Sequence, residues 1–497
     1  MQRRSFMKLM ATSAAGVGAA GVVSGCKLKG NSGNNIRPYV RMISVATGQK
    51  FTTTIYNGST TGSVLNNSIT LDTTSTGTPN GAFSEYQQVD WEGGYVISLL
   101  PPGTSTSNPT GVLGGASLSP AQGSHYTGYA YLSPTSSTSS YALNCSIVND
   151  DAPTVSSGQY VIRMLNTVSN PATSIAYDLY LTTGGTTSSS LPVGSNSDLA
   201  GTSATVSGSG YGVGVVSNYS TGANAGTFRL RLTKATTQTV VFDSDNVVLA
   251  NGGAYTLVTY SLGSALLPTV MLVTPSGDPV ILTNNLTRIR VVQGSSDIVN
   301  VTSQIVIGTG AAQTTEGSFT FGNTSLYSIQ PAGKVPVTFT VNNGATSPYL
   351  TVNNQSFIGG QDYVVYSVGA SSPAGTANYL AMIDNNLPVA SASYSVVTYA
   401  NATPVNDPQA SSVDYTLDGT QSTSPVATGA AATATQVSAQ TDHVVKFLDH
   451  THNHSPLAQV DVGTVIAGGI YTVALIGTGN STLNGTFSAV SIRTDVL

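Results

Sequence analysis

The chain has 497 residues and a formal net charge of −5, with only 8% charged side chains against 40% hydrophobic ones. Ordinary soluble domains carry about 25% charged residues, so Ser, Thr, Asn and Gly must supply the polar surface here. That balance excludes a disordered polyelectrolyte, which needs high charge and low hydrophobicity. It also excludes a basic patch for phosphates, so nucleic acid is not an expected partner.

Residues 1–25 read as an export signal. Gln2-Arg3-Arg4-Ser5-Phe6-Met7-Lys8 resembles the twin-arginine motif, with Arg3, Arg4, Phe6 and Lys8 in register. The weakly apolar Ala/Gly/Val segment that follows is too short and too Gly-rich for a membrane span. It ends in Val23-Ser24-Gly25-Cys26, which resembles a bacterial lipobox. Small residues there expose the backbone to a peptidase, and the Cys26 thiol is the nucleophile that takes a diacylglycerol. Cleavage would remove three basic residues and no acid, leaving a net charge of −8. Several acyl chains give durable anchoring where one gives marginal binding. Lys27 stands where Asp would resemble an inner-membrane retention signal, so the expected address is the outer membrane, held through acylated Cys26. Residues 26–35, with Gly30-Asn31-Ser32-Gly33-Asn34-Asn35, read as a flexible tether.

A repeat organises the remainder. Gly252-Gly253-Ala254-Tyr255, Gly359-Gly360-Gln361-Asp362-Tyr363 and Gly468-Gly469-Ile470-Tyr471 close similar stretches, and their tyrosines are 108 residues apart. A fixed period of that size means tandem copies of one domain. Module one is expected over 36–156, with strands at Val40–Val45, Phe51–Tyr56, Tyr95–Leu100, Tyr126–Leu132 and Tyr141–Val148. Residues 104–124 read as a long Ser/Pro/Gly loop, and Cys145 as an inert thiol packed as a small hydrophobe.

Module two is expected over 157–284. Tyr177 to Leu181 alternates like a half-buried strand, and 182–212 is a Ser/Gly/Thr-rich insertion. In Thr227 to Leu232, Phe228, Leu230 and Leu232 share one face. Arg229 and Arg231 are expected on a solvated face. Module three, 285–392, opens on Leu286-Thr-Arg-Ile-Arg-Val-Val292, and Pro336 suggests that its 335–341 strand is a sheet edge. Module four, 393–497, includes the one helix candidate, Ala-rich 426–439. Short strands with turn signals between them predict an all-β chain of tandem immunoglobulin-like sandwiches.

Ala400-Asn401-Ala402-Thr403-Pro404 followed by Val413-Asp414-Tyr415-Thr416-Leu417-Asp418-Gly419 resembles the opening of the bacterial "domain of unknown function 4397" family. Arg163-Met-Leu-Asn166 with Tyr177-Asp178-Leu-Tyr180, and Arg290-Val-Val292, match parts of the same pattern, while module one matches poorly. The resemblance implies an immunoglobulin-like sandwich on an exported protein and implies no catalytic residues.

Asp449-His450-Thr451-His452-Asn453-His454 is the one dense chemical cluster. On a strand, His450, His452 and His454 would share a face and could meet a divalent transition metal, with His443 and Asp449 near. The same residues also read as a polar hairpin tip, needing no cofactor. No Gly-x-Ser-x-Gly elbow occurs and nothing positions a nucleophile, so an enzyme is not expected. Asp178 and Asp414 read as capping or pairing groups. The functional expectation is an anchored envelope protein with a structural or adhesive role, toward an envelope or extracellular protein or a glycan. The alternative is a glycan- or metal-binding surface module.

Overall fold

The computed structural model describes residues 37–58, 69–72, 83–89, 94–104, 111–134, 141–168, 177–183, 206–207, 217–220, 222–234, 239–264, 266–298, 302–310, 313–341, 348–369, 378–384, 393–404, 407–422, 424–478 and 487–494. The export motif (Arg3, Arg4, Phe6, Lys8), Cys26, the tether and most of 182–212 lie outside them. Every regular element among the described residues is a strand, so the chain is all-β.

The first unit has eight: β1 (Tyr39–Ser44), β2 (Lys50–Asn57), β3 (Ile69–Asp72), β4 (Gln87–Gln88), β5 (Tyr95–Leu100), β6 (Gly114–Leu118), β7 (His125–Pro134) and β8 (Tyr141–Asn149). They form two sheets, in the orders β4-β1-β7-β8 and β3-β2-β5-β6. β1 and β7 run parallel, from Tyr39 opposite His125 to Ser44 opposite Ala130. The other three units repeat this order. Gln159–Asn166, Leu286–Val292 and Tyr394–Ala402 take the place of β1. Ala254–Tyr260, Asp362–Val368 and Ile470–Gly477 take that of β7, and each pair is again parallel. Each unit has a core between its sheets, around Phe51 and Ile97, Leu179 and Leu257, Ile305 and Phe339, and Val413 and Val473, and that of the second unit also takes in Leu286 of the third.

One device recurs at the start of each β7-type strand. The hydroxyls of Tyr126, Tyr255, Tyr363 and Tyr471 accept the backbone N–H of Ala121, Ala250, Ile358 and Ile466, at 2.9, 2.8, 2.9 and 3.1 Å. This is the tyrosine corner of immunoglobulin-like sandwiches. Three residues before each tyrosine stands a glycine, Gly123, Gly252, Gly360 or Gly468, at φ near +74°. A side chain is strained in that left-handed region, which glycine enters freely. Tyr126 is the fourth member, hidden in the sequence because Gln122-Gly123-Ser124 replaces the paired glycines. Tyr363→Phe is expected to lower stability by about 1 kcal/mol, the usual net worth of one hydrogen bond, read from urea unfolding.

The parallel sheets are covered on both faces. Their second face makes an apolar seam between neighbouring units. Ile43, Val45, Tyr129, Tyr131 and Val148 pack on Leu165, Val258, Tyr260, Met271 and Val273. Val292, Val364, Tyr366 and Val368 pack on Ala400, Ala402, Ala474, Ile476 and Ile492. Counted from the corner tyrosines, Tyr129 and Tyr366 hold one position, and so do Val258 and Ala474. The chain is therefore a doubled pair, one with two and three with four, rather than modules in single file. Two-sided burial accounts for strands such as Leu286–Val292 and Asp362–Val368, in which all seven residues are buried.

Each seam carries the same polar set. Arg41 lies over the Tyr86 ring at 4.6 Å, and the Tyr86 hydroxyl donates to Asp150 at 2.7 Å. Arg290 lies over Tyr327 at 4.2 Å, and the Tyr327 hydroxyl bonds Asp384. Both arginines reach into the next unit: Arg41 donates to the Thr274 and Gly277 carbonyls at 2.7 and 2.8 Å, Arg290 to that of Arg493 at 3.2 Å. Burial pushes the Asp384 carboxyl up to about 7.

Four local expectations are corrected. Arg229 and Arg231 are buried and share Asp243, because the second face of their strand is covered too. Residues 104–124 are not all loop, since Gly114–Leu118 is β6; a side chain on Gly114 or Gly115 would strike the Leu143 or Ile97 carbonyl. Pro336 marks no sheet edge; it precedes Val337–Val341, an interior strand paired on both sides. The Ala-rich 426–439 forms the short strands Val426–Ala427 and Thr435–Ser438, each held by sheet pairing that a helix would forfeit. Cys145 lies on β8 as expected, its thiol pushed by burial up to about 12 and so inert near neutrality.

Candidate functional site

The chemistry-bearing residues of module four collect on two hairpins of one sheet. Ser412–Leu417 turns through Asp418-Gly419, both at positive φ, into Thr420–Gln421. Asp-Gly suits that reversed turn because aspartate and glycine tolerate left-handed φ. Ser412–Leu417 pairs with Asp442–Asp449, which returns as Pro456–Thr464.

Residues 450–455 are a turn and not a strand, so the alternation assumed for His450, His452 and His454 does not apply. Asp449 organises that turn. Its carboxylate accepts the backbone N–H groups of Thr451 and His452 at 2.8 and 3.1 Å, and its second oxygen meets His452 Nδ1 at 2.7 Å. Ser455 N–H closes on the His452 carbonyl at 3.2 Å, with Asn453 and His454 at φ +53° and +54°. His450 and His454 are brought instead to Asp414, whose Oδ2 lies 3.0 and 2.7 Å from their Nδ1 atoms. Asp414 is buried, while both imidazoles are about half exposed. The three histidines thus divide between two carboxylates. Among the described residues, no group of three or more His, Cys, Asp or Glu side chains is arranged to hold a metal ion.

His443 is the member that the sequence underweighted. It is buried, with Nδ1 2.6 Å from Asp418 Oδ2 and Nε2 2.8 Å from the Ser438 carbonyl. Burial alone would depress its pKa. Two acceptors, one at each ring nitrogen, outweigh that and hold the imidazolium above the ordinary histidine range. Asp418 is held below the usual carboxylate range: burial opposes this, but the Val444 N–H and His443 prevail. A histidine whose folded pKa is raised stabilises fully below its unfolded value, about 6.5, and that stability is lost as pH rises through the folded value. Module four is therefore expected to lose thermal stability as pH rises above the unfolded histidine value. The His443→Gln variant should flatten that slope, as scanning calorimetry would show.

Beside this pair an open cleft of about 510 Å³ lies between the strands that end the two sheets. Tyr399, Tyr415, Leu417, Gln421, Gln436 and His443 are among its lining residues. These positions are scattered from 399 to 443, so no local motif announces the cleft.

No helix among the described residues is long and apolar enough to cross a membrane. No family model and no curated protein matches the chain. Among solved structures the chain is distantly similar to a candidate cell adhesion protein from Parabacteroides distasonis, at 9% identity over 46% of this chain and 96% of that one, with a TM-score of 0.25. A candidate cell adhesion protein from Bacteroides uniformis matches at 12% identity over 46% of this chain and 99% of that one, with a TM-score of 0.20. The Bacillus anthracis TIE protein matches at 9% identity over 85% of this chain and 67% of that one, with a TM-score of 0.16. Scores this low carry no argument about what the chain does.

Proposed function

We propose that the protein is a lipid-anchored component of a bacterial cell envelope with a structural or adhesive, non-catalytic role. The observation that carries this reading is the doubled pair of sandwiches. Each unit has a core, and each pair is locked by an apolar seam and an Arg–Tyr–Asp set. Such a chain presents sheet faces and loops on a stiff body, which suits holding a partner at a distance from an anchor. The address rests on the export motif, the lipobox at Cys26 and the tether over 26–35. The resemblance of modules two to four to the uncharacterised exported family supports the same setting.

The test is fractionation with crosslinking in intact cells. Wild-type chain should pellet with outer membranes and Cys26→Ala should move to the soluble fraction, because the acyl chains provide the membrane affinity. Crosslinks to an envelope or extracellular partner support the role. A Cys26→Ala chain that still pellets, or a wild-type chain found in the cytoplasm, sinks it.

A further inference from the structure

We infer that the cleft of module four binds a neutral saccharide. Its wall and floor are aromatic and aliphatic. Tyr399 and Tyr415 stack with ring centroids 3.9 Å apart and planes 16° from parallel, beside Leu417. Tyr399 is fully buried, so it backs the partly buried Tyr415 ring and fixes it in place. The Tyr399 hydroxyl is itself buried, so the residue meets the cleft through its ring.

The rim has the opposite character. Thr420, Gln421, Ser422, Thr435, Gln436 and Ser438 offer hydroxyls and amides and no net charge. The lining contains one ionic pair, Asp418 with His443, whose charges neutralise each other across 2.6 Å. A charged ligand would enter without a counter-charge, and a wholly apolar one would strand the rim's hydrogen-bonding groups. A pyranose has what the lining asks for: an apolar C–H face for an aromatic ring and a perimeter of hydroxyls for amides and alcohols. A volume near 510 Å³ falls within the range of small-molecule sites, about 300–1,000 Å³.

This assignment does not rest on the envelope role, since the cleft would bind equally on a chain with no membrane address. The test uses the full mature chain, with saturation-transfer NMR and titration calorimetry. Maltotriose and chitotriose are the neutral probes; sialyllactose and trigalacturonate are the charged controls. At least one neutral probe should bind saturably, with enhancement at its ring C–H protons, while the charged controls bind at least tenfold more weakly. Tyr415→Ala should weaken binding at least tenfold. Gln436→Trp, at an exposed rim position, should do the same by filling the cleft while leaving circular dichroism unchanged, so it decides the matter if Tyr415→Ala misfolds. Absence of binding by both neutral probes, equal binding of the charged ones, or full binding by Gln436→Trp would overturn the assignment.

Discussion

Arg288→Met is expected to destabilise the third unit by about 3–5 kcal/mol, the range found when one partner of a buried ion pair is removed. Arg288 and Asp362 face each other across the parallel pair and are both sealed from solvent. The guanidinium grips the carboxylate with Nε at 2.7 Å from Oδ1 and with Nη2 on Oδ2, and lies over the Tyr327 ring at 4.2 Å. Taking the cation away leaves a buried carboxylate near a second one, Asp384. That penalty exceeds what the pair itself contributes, because the pair's attraction is largely spent on its own desolvation. The double variant Arg288→Met with Asp362→Leu should therefore recover most of the loss. Urea unfolding of the four chains of this cycle checks the claim. A single variant within about 1 kcal/mol of wild type, the size of a solvated surface pair, would mean that water reaches the pair.

The same pair shows where the sequence stops being readable. Leu286-Thr-Arg-Ile-Arg-Val-Val292 announces a strand, and the recurring Gly-x-x-Tyr announces the repeat, while the corner that its tyrosine closes shows only in the structure. Both signals are local, and both gave the fold class. What covers the second face of a strand is not local. Arg229, Arg231, Arg288 and Arg290 alternate with apolar residues just as solvated positions would, yet all four are buried. Their partners lie on other strands or in other units. The histidines form the polar hairpin tip and not the strand face, for a related reason. Their i, i+2, i+4 spacing suits a strand face, but Asp449 captures two backbone N–H groups and folds the segment into a turn, which sends His450 and His454 to Asp414.

Val258→Asp should separate the first two units without unfolding either. Val258 is fully buried, but in the seam between units and not in the core of its own sandwich. An unpaired carboxylate there meets Ile43, Tyr129, Met271 and other apolar neighbours. Burying it ionised costs more than such a seam can supply, so the faces part and water enters. Calorimetry should then show the cooperative transition of units one and two split into two. Small-angle scattering should show a larger radius of gyration. Ala474→Asp, at the equivalent place in the other seam, should do the same to units three and four. The matching control is Tyr366→Phe. The Tyr129 and Tyr366 hydroxyls are both buried without a protein partner, so removing the one on Tyr366 is expected to be neutral or slightly stabilising, the opposite of Tyr363→Phe three residues away. If Val258→Asp keeps a single transition and an unchanged radius, the back-to-back seam does not hold the units together in solution.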